Sequence, residues 1–356
     1  MSTKTKKYYR CENILKHEAN YNMLLGEKSN GKSYAVKEHA LLDALEGRGK
    51  LIYMRRYEMD VKSSDVEAYF SDAPIYALSG GKYSFIRVYR GIIYASFYNE
   101  EKDKMVNGIE LGRVVWLTGY HHFASQAFVG YKNILFEEFI TDSIYLEDEP
   151  TTLQKMVSTI LRDRNGSCWL IGNTISRVCP YFLEWCLEGI PKQKPGTIDD
   201  YYFQNEDGTT TKIAVEYCEN VGTPSSMFFG KAREHIAGGQ WQTKAMPKLE
   251  KRFNEYAKLY EVLLKSHGFS FVINLLMDEQ SGALTVFVYP YSGTRRIQRV
   301  LSDEYSEDIL TTKSLRANVK PELKLTQLVN EGMVAFSDNL TGSDFTHILE
   351  QRGGLL

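Results

Sequence analysis

The sequence has few cysteines, and their spacing does not indicate that any two of them act as a pair. Five cysteines are spread over 356 residues, an odd number with no C-x-x-C pair among them. This pattern excludes a disulfide framework and a paired-cysteine zinc site, and it is typical of a reducing compartment. The adjacent His121 and His122 have no third ligand at a useful spacing, so we expect no metal site there.

The chain also lacks long hydrophobic runs and an excess of charge of one sign. No apolar run approaches the roughly 18–20 residues that span a bilayer, and the first ten residues lack the apolar stretch of a signal peptide. We therefore expect no membrane partner and a location inside the cell that makes the protein. Lys and Arg number 43 against 45 Asp and Glu, which excludes a uniformly basic nucleic-acid-coating protein but permits a local basic patch.

The composition is that of an ordinary globular protein, with 43% hydrophobic and 25% charged residues. The length allows two domains, each with its own core. Three of the nine prolines fall within residues 190–224, beside turn-rich clusters, which indicates a domain boundary. We expect a first domain over residues 1–195, a linker or subdomain over 196–245, and a smaller α+β domain over 246–356.

Short apolar runs alternate with helical patterns in the first domain, which predicts an α/β fold with a largely parallel sheet. The predicted strands are Tyr21–Leu25, Leu51–Met54, Val114–Leu117, Ile134–Phe136 and Cys168–Ile171. The predicted helices are Ser33–Leu45 and Thr151–Arg164. An inserted hairpin is predicted over Tyr83–Tyr98, followed by an exposed charged loop over Asn99–Gly108.

Two further elements are predicted in the C-terminal domain. Residues 247–265 read as an amphipathic helix. Residues 269–276 and 284–289 bracket the turn DEQSG and read as a hairpin.

One motif carries chemistry of high specificity, because G-x-x-x-x-G-K-[ST] lies between a predicted strand and a predicted helix. Its members are Gly26, Glu27, Lys28, Ser29, Asn30, Gly31, Lys32 and Ser33. The glycines let backbone N–H groups point at phosphate oxygens, and the following helix adds the positive end of its dipole. Lys32 would reach the β and γ phosphates, and the Ser33 hydroxyl would bind Mg²⁺. No N-K-x-D guanine motif is present, which favours ATP.

Acidic and amide side chains follow two later strands of the predicted sheet. Glu137 and Glu138 end one strand, and one of them can serve the Mg²⁺ ion while the other polarises a water. Asn173 follows the next strand, where it could sense the γ phosphate. Because ligands bind outside the carboxyl ends of the strands in such sheets, we expect these residues to face the P-loop.

Arg162 and Arg164 close the helix before that last strand. Cations are favourable at a helix C-terminus for dipole reasons alone. An arginine finger that reaches the nucleotide of a neighbouring subunit is the functional alternative, with Arg164 preferred.

The assembled pattern resembles the genome-packaging ATPases of tailed phages, specifically the short motors of small podoviruses, which are relatives of large terminases. The similar features are a basic residue at the third P-loop position, a second strand ending in two arginines, and an amide motif with a segment after it. In this sequence they are Lys28, Arg55–Arg56, Gly172–Asn173 and Pro180–Leu183. The family usually ends its acidic strand in Asp-Glu, whereas this chain has Glu137–Glu138. By analogy, Glu137 is assigned to the metal and Glu138 to catalysis.

The resemblance implies several partners and a location. It implies a pentameric ring on the portal of a procapsid, in the cytoplasm of an infected host cell, with double-stranded DNA threaded through the centre. It also implies that the C-terminal domain resembles an RNase H-like nuclease, and Asn274 in place of an acid predicts a vestigial, non-cutting form. A structural RNA is a possible further partner. Lys102 and Lys104 are candidates for gripping DNA without reading its sequence.

Two alternatives stay open at the level of sequence. A monomeric P-loop kinase would use Arg162 and Arg164 to clamp phosphates within one chain. A nucleotide-switched scaffold would leave Glu137 and Glu138 with structural roles only.

Overall fold

The computed structural model describes residues 8–141, 144–162, 165–219, 243–303 and 310–355. The chain divides into two compact units. The first comprises Met1–Thr141, Leu146–Ile175 and Gly189–Gln240, and the second comprises Asp142–Tyr145, Ser176–Glu188 and Trp241–Leu356.

A single large sheet forms the framework of the first unit. Its strands within the described residues are β1 Tyr21–Leu25, β2 Lys50–Arg55, β3 Phe85–Tyr89, β4 Ile92–Asn99, β5 Lys104–Trp116, β6 Tyr131–Glu137, β7 Ser167–Ile171, β8 Thr197–Gln204 and β9 Thr210–Tyr217. The strand order is β3-β4-β5-β2-β6-β7-β1-β9-β8. The strands from β5 to β9 in this order all pair in parallel, and antiparallel pairs lie at both edges.

This sheet confirms the predicted α/β fold with a largely parallel sheet. Every residue of β1 is buried, as expected for a central parallel strand that is covered on both faces. In the pairing register, Ile171 at the end of β7 lies opposite both Leu24 of β1 and Glu137 of β6. The loops that follow these three strands therefore leave the sheet at one edge.

Helices of the first unit cover the sheet. They are α1 Glu12–Leu15, α2 Lys32–Leu45, α3 Ser63–Phe70, α4 Ile75–Leu78, α5 Tyr120–Phe123 and α6 Glu149–Leu161. The two predicted helices are α2 and α6, and the apolar residues of α6 are buried. Helix α6 begins two residues before its predicted start. In the part of the chain that the structure describes, no helix is long and apolar enough to cross a membrane.

The predicted insertion hairpin is confirmed as β3 and β4, which pair antiparallel. The charged loop after it is shorter than predicted, because β5 begins at Lys104 and pairs back onto β4. Lys102 lies in the turn between β4 and β5, and the side chains of Lys102 and Lys104 are exposed.

The linker or subdomain predicted over residues 196–245 is not separate in its first half, which belongs to the first unit. Strands β8 and β9 form a hairpin, and β9 pairs in parallel with β1, the strand that leads into the P-loop. Proline and turn residues around this hairpin resemble an interdomain linker in composition. The buried run Ile213–Tyr217 instead completes the sheet of the first unit. The segment Ser176–Glu188, placed in the first domain by sequence, belongs to the second unit.

The second unit contains a mixed sheet and three helices among its described residues, as an α+β fold should. Its strands are β10 Tyr256–Ser266, β11 Phe269–Asp278, β12 Leu284–Pro290, β13 Val300–Ser302, β14 Thr311–Thr312 and β15 Val334–Phe336. Its helices are α7 Pro180–Glu184, α8 Lys320–Asn330 and α9 Asn339–Arg352. The order is β14-β13-β10-β11-β12-β15, and β11 with β12 confirms the predicted hairpin.

The helix predicted over Pro247–Lys265 is wrong, because residues 256–266 form strand β10. This strand pairs with β11 along its length. Val262 and Leu264 enter one hydrophobic cluster while Leu263 enters another. A short apolar run buried on both faces cannot be told from a buried helical segment by periodicity alone.

Candidate nucleotide-binding site

The motif Gly26–Ser33 forms a loop between β1 and α2, as predicted. Gly26, Ser29 and Gly31 have positive φ angles of 149°, 66° and 97°. The two glycine conformations are ones that L side chains rarely adopt. A Cβ at Gly31 would also lie 3.3 Å from the Cβ of Tyr8. The backbone therefore takes the tight path that a phosphate-binding loop requires.

Lys32 begins α2, and its side chain folds back onto the loop. Its Nζ donates hydrogen bonds to the Glu27 carbonyl oxygen at 2.6 Å and to Asn30 Oδ1 at 3.2 Å. The residue is only 4% exposed. Burial lowers the pKa of Lys32 to about 8, against the raising influence of Cys218, Glu137 and Glu27.

This pKa predicts a pH dependence of ATP binding. The Lys32 ammonium is charged below pH 8 and neutral above it, and only the charged form attracts phosphate. ATP affinity should therefore fall as pH rises through 8 and be about tenfold weaker at pH 9 than at pH 7. Equilibrium binding of a fluorescent ATP analogue measures this change. Lys32→Arg stays charged and should lose the pH step, whereas equal wild-type affinity at both pH values would contradict the lowered pKa of Lys32.

Glu137 lies at the end of β6 and directly contacts the P-loop serine. Ser33 Oγ donates to its Oε2 at 3.1 Å, and Tyr69 Oη donates to its Oε1 at 2.6 Å. Burial raises the pKa of Glu137, while these two hydrogen bonds lower it. Burial and the adjacent carboxylate raise the pKa of Tyr69 well above its usual range, so its hydroxyl stays a donor.

Ser33 and Glu137 fit a magnesium ion by their chemistry. A hydroxyl and a carboxylate are oxygen ligands, which Mg²⁺ prefers, usually with substrate phosphates completing its shell. The 3.1 Å contact between them places both oxygens beside the loop that would hold those phosphates.

Glu138 has a different environment from its neighbour. Its φ is 57°, and its side chain is 63% exposed at the cavity. The carboxylate accepts a hydrogen bond from Arg55 Nη2 at 2.6 Å, and the backbone N–H donates to the Ile171 carbonyl at 2.8 Å. A carboxylate that is reachable by solvent and fixed through its backbone is suited to polarising a water molecule.

Arg56 holds the backbone on which Glu138 sits. Its guanidinium makes a bidentate ion pair with Glu149, in which Nε donates to Oε2 at 2.7 Å and Nη2 donates to Oε1 at 2.8 Å. It also donates to the Phe139 carbonyl at 2.9 Å and to the Glu138 carbonyl at 3.3 Å. Both charged side chains of the pair are buried, so the end of β2 is tied to the chain that follows β6.

A cavity of about 1500 Å³ at this sheet edge brings the predicted site residues together. Six of the eight motif residues line it, from Lys28 to Ser33. Glu137, Glu138 and Asn173 also line it, together with Tyr8 and Arg55. The amide-bearing loop is fixed to the P-loop, because the Thr174 N–H donates to the Gly26 carbonyl at 3.2 Å.

Arg162, one of the two candidate finger arginines, does not line this cavity. Arg162 caps α6 with φ 44°, is exposed, and donates to the Gln126 carbonyl at 3.2 Å. Arg164 lies outside the described residues.

Sequence reasoning missed the residues that hold the two glutamates in place. In the sequence, Arg55 and Arg56 stand out only through the family resemblance, and no motif marks Tyr69 or Glu149. Tyr69 lies 68 positions before Glu137, and Arg56 lies 93 positions before Glu149. No local pattern links residues this far apart, so only the fold identifies them.

The fold and the residues of this cavity define a P-loop protein of the α/β nucleoside-triphosphatase class. The model of the Podovirus DNA encapsidation protein (Gp16) family matches residues 3–194. The chain therefore belongs to the Podovirus DNA encapsidation protein family.

Relatives in two Bacillus phages support this membership. The chain is 21% identical to the DNA packaging protein of Bacillus phage phi29 over 341 residues, which cover 94% of each protein. It is 27% identical to the DNA packaging protein of Bacillus phage B103 over 179 residues, which cover 48% of this chain and about half (49%) of that relative.

Solved structures share the fold. A chain of the bacteriophage Phi-29 viral genome packaging motor assembly superposes with a TM-score of 0.55 at 19% identity, covering 97% of this chain and 99% of that one. The Phi-28 gp11 DNA packaging motor superposes with a TM-score of 0.50 at 18% identity and the same coverage.

Proposed function

We propose that this protein is an ATP-hydrolysing motor that moves double-stranded DNA into a phage procapsid. The observation that carries the proposal is the convergence of Lys32, Glu137 and Glu138 on one cavity, in a chain of the DNA encapsidation family. A DNA-translocating motor needs a nucleoside-triphosphate site, and this member of a DNA encapsidation family has the residues for one.

The residues divide the chemistry among themselves. Lys32 and the loop N–H groups bind and orient the phosphates, and Ser33 with Glu137 would hold Mg²⁺. A metal held there would supply positive charge to balance the charge that develops on the phosphate oxygens. Glu138 is the catalytic residue that polarises the attacking water, and Asn173, which lines the same cavity, senses the γ phosphate.

We propose further that the motor works as a ring, with five subunits, on the portal of the procapsid in the infected cell. Arg162 is exposed and lies away from its own cavity, which supports a role at a neighbouring subunit's nucleotide. Arg164 is the alternative finger. Lys102 and Lys104 are exposed beside the hairpin insertion and are the proposed DNA contacts, and a structural RNA is a further proposed partner.

The second unit is proposed to be a nuclease-like domain that does not cut. Its three long strands β10, β11 and β12 pair antiparallel and are flanked by parallel strands. Asn274 is fully buried in β11, the central strand of those three. A two-metal nuclease needs acids at such positions.

ATP hydrolysis with and without double-stranded DNA, measured over a range of protein concentrations, tests the motor. Turnover should rise with DNA and more than proportionally with protein, and it should be lost in Lys32→Ala. Mixing Lys32→Ala with Arg162→Ala or Arg164→Ala should restore activity. In mixed rings, the intact nucleotide site of an arginine-variant subunit can lie beside the intact arginines of a Lys32→Ala subunit. Turnover that is indifferent to DNA and linear in protein would instead leave the monomeric kinase.

A further inference from the structure

Tyr69 contacts the acidic end of β6 from a separate helix. It lies in the last turn of α3, and its hydroxyl donates to Glu137 Oε1 at 2.6 Å. The other carboxylate oxygen, Oε2, accepts from Ser33 Oγ at 3.1 Å. Each oxygen of this buried carboxylate therefore has one donor, and the two donors come from two different helices. Together they fix the rotation of the carboxylate group.

Tyr69 is itself held in place by aromatic packing. Its ring centroid lies 4.6 Å from that of Tyr53 and 4.9 Å from that of Phe70. The Nζ of Lys37 lies 4.4 Å from the Tyr69 ring centroid, a distance suited to a cation–π interaction.

Lys37 also binds the backbone of the same residue. Its Nζ donates to the Tyr69 carbonyl oxygen at 2.6 Å and pairs with the Asp72 carboxylate. The Lys37 side chain is only 4% exposed. Ser33 and Lys37 are four residues apart on α2, so they lie on one face of that helix. One helix therefore supplies a direct donor to Glu137 and the anchor of its second donor.

We propose that Tyr69 is a positioning residue that orients the Glu137 carboxylate toward the magnesium ion of bound nucleotide, with Lys37 as its anchor. The inference rests on the proposed role of Glu137 at the metal. Groups that hydrogen-bond to a metal ligand orient it, and their loss typically weakens metal affinity by about 10- to 100-fold. A hydroxyl on a rigidly packed ring is suited to this task, because little freedom is left to its oxygen.

Tyr69→Phe tests the proposal, since it removes the hydroxyl and keeps the packed ring. The readout is equilibrium binding of a fluorescent ATP analogue to the full chain over a series of Mg²⁺ concentrations. The Mg²⁺ concentration for half-maximal enhancement of binding should rise about tenfold, the lower end of the range for such partners. Affinity in EDTA should stay within about twofold of wild type, because the Tyr69 hydroxyl donates its hydrogen bond to Glu137 and not to the phosphate-binding loop.

Tyr131→Phe is the matched control. Tyr131 donates to Glu110 Oε1 at 2.7 Å in the same unit, and neither residue lines the nucleotide cavity. This variant loses an equivalent tyrosine–glutamate hydrogen bond and should leave the Mg²⁺ dependence within about twofold of wild type. Thermal unfolding of both variants separates a general loss of stability from the specific change in Mg²⁺ requirement.

Glu137→Gln separates the proposal from its premise. If Glu137→Gln raises the Mg²⁺ requirement while Tyr69→Phe behaves like Tyr131→Phe, the positioning role is overturned and the metal role of Glu137 stands. If Glu137→Gln also leaves the requirement unchanged, the metal role fails and the inference fails with it. If both raise it, and Tyr69→Phe adds nothing in the Glu137→Gln background, Tyr69 acts through Glu137 as proposed.

Discussion

Glu138→Gln is expected to lower ATP turnover by about 10²- to 10⁴-fold, the contribution of a positioned general base, while leaving nucleotide affinity within about threefold. The substitution keeps the size of the side chain and removes its capacity to accept a proton. Affinity should survive because the phosphate-binding contacts come from the loop and Lys32. Glu138 instead has an exposed side chain held by Arg55.

Steady-state hydrolysis and equilibrium nucleotide binding on the same protein preparation measure the two effects. Glu147→Gln is the matched control, because Glu147 is exposed in the same unit and does not line the cavity. It should change neither quantity. Turnover near the wild-type rate in Glu138→Gln, or an equal loss of binding and turnover, would assign the catalytic role elsewhere.

Removal of one partner from the buried Arg56–Glu149 pair is expected to cost about 3–5 kcal/mol of unfolding free energy. Glu149 is fully buried, and Glu149→Ala leaves the Arg56 guanidinium without its carboxylate. A buried charge that loses its counter-ion is no longer compensated for much of its desolvation penalty. Because Arg56 also holds the carbonyls of Glu138 and Phe139, the variant should lose ATP turnover as well.

Urea denaturation of the full chain, followed by fluorescence, measures the stability change. The exposed pair Arg10–Glu12, with its charged atoms 3.4 Å apart, provides the control. Glu12→Ala breaks that pair and should change stability by no more than about 1 kcal/mol, as is typical of surface ion pairs. A similarly small change in the unfolding free energy of Glu149→Ala would show that the buried pair does not stabilise the fold around the cavity.

The parts of the site that lie close together in sequence could be predicted. The P-loop motif specifies its own backbone conformation through Gly26 and Gly31, and its place between a strand and a helix follows from local patterns. The proximity of Glu137 to Ser33 followed from the general rule that parallel strands end at one edge of the sheet. The contact between them at 3.1 Å agrees with that rule.

The parts that depend on pairing between distant segments could not be predicted. Strand β9 reads as a short run within a turn-rich region, and only its pairing with β1 makes it part of the first unit. Strand β10 carries apolar residues on both faces, which removes the alternation that identifies strands. Tyr69 contacts Glu137 across 68 positions, and a tyrosine in a short amphipathic helix reads from sequence as a packing residue.

The most direct test of the motor is a packaging reaction with procapsids of the cognate phage, linear double-stranded DNA and ATP, followed by nuclease digestion. The wild-type protein should yield DNA that is protected inside procapsids. Glu138→Gln, which is expected to bind ATP without hydrolysing it at an appreciable rate, should yield none. Equal protection with both proteins, or no protection with a wild-type protein that hydrolyses ATP, would contradict the proposal that hydrolysis in this crevice moves DNA.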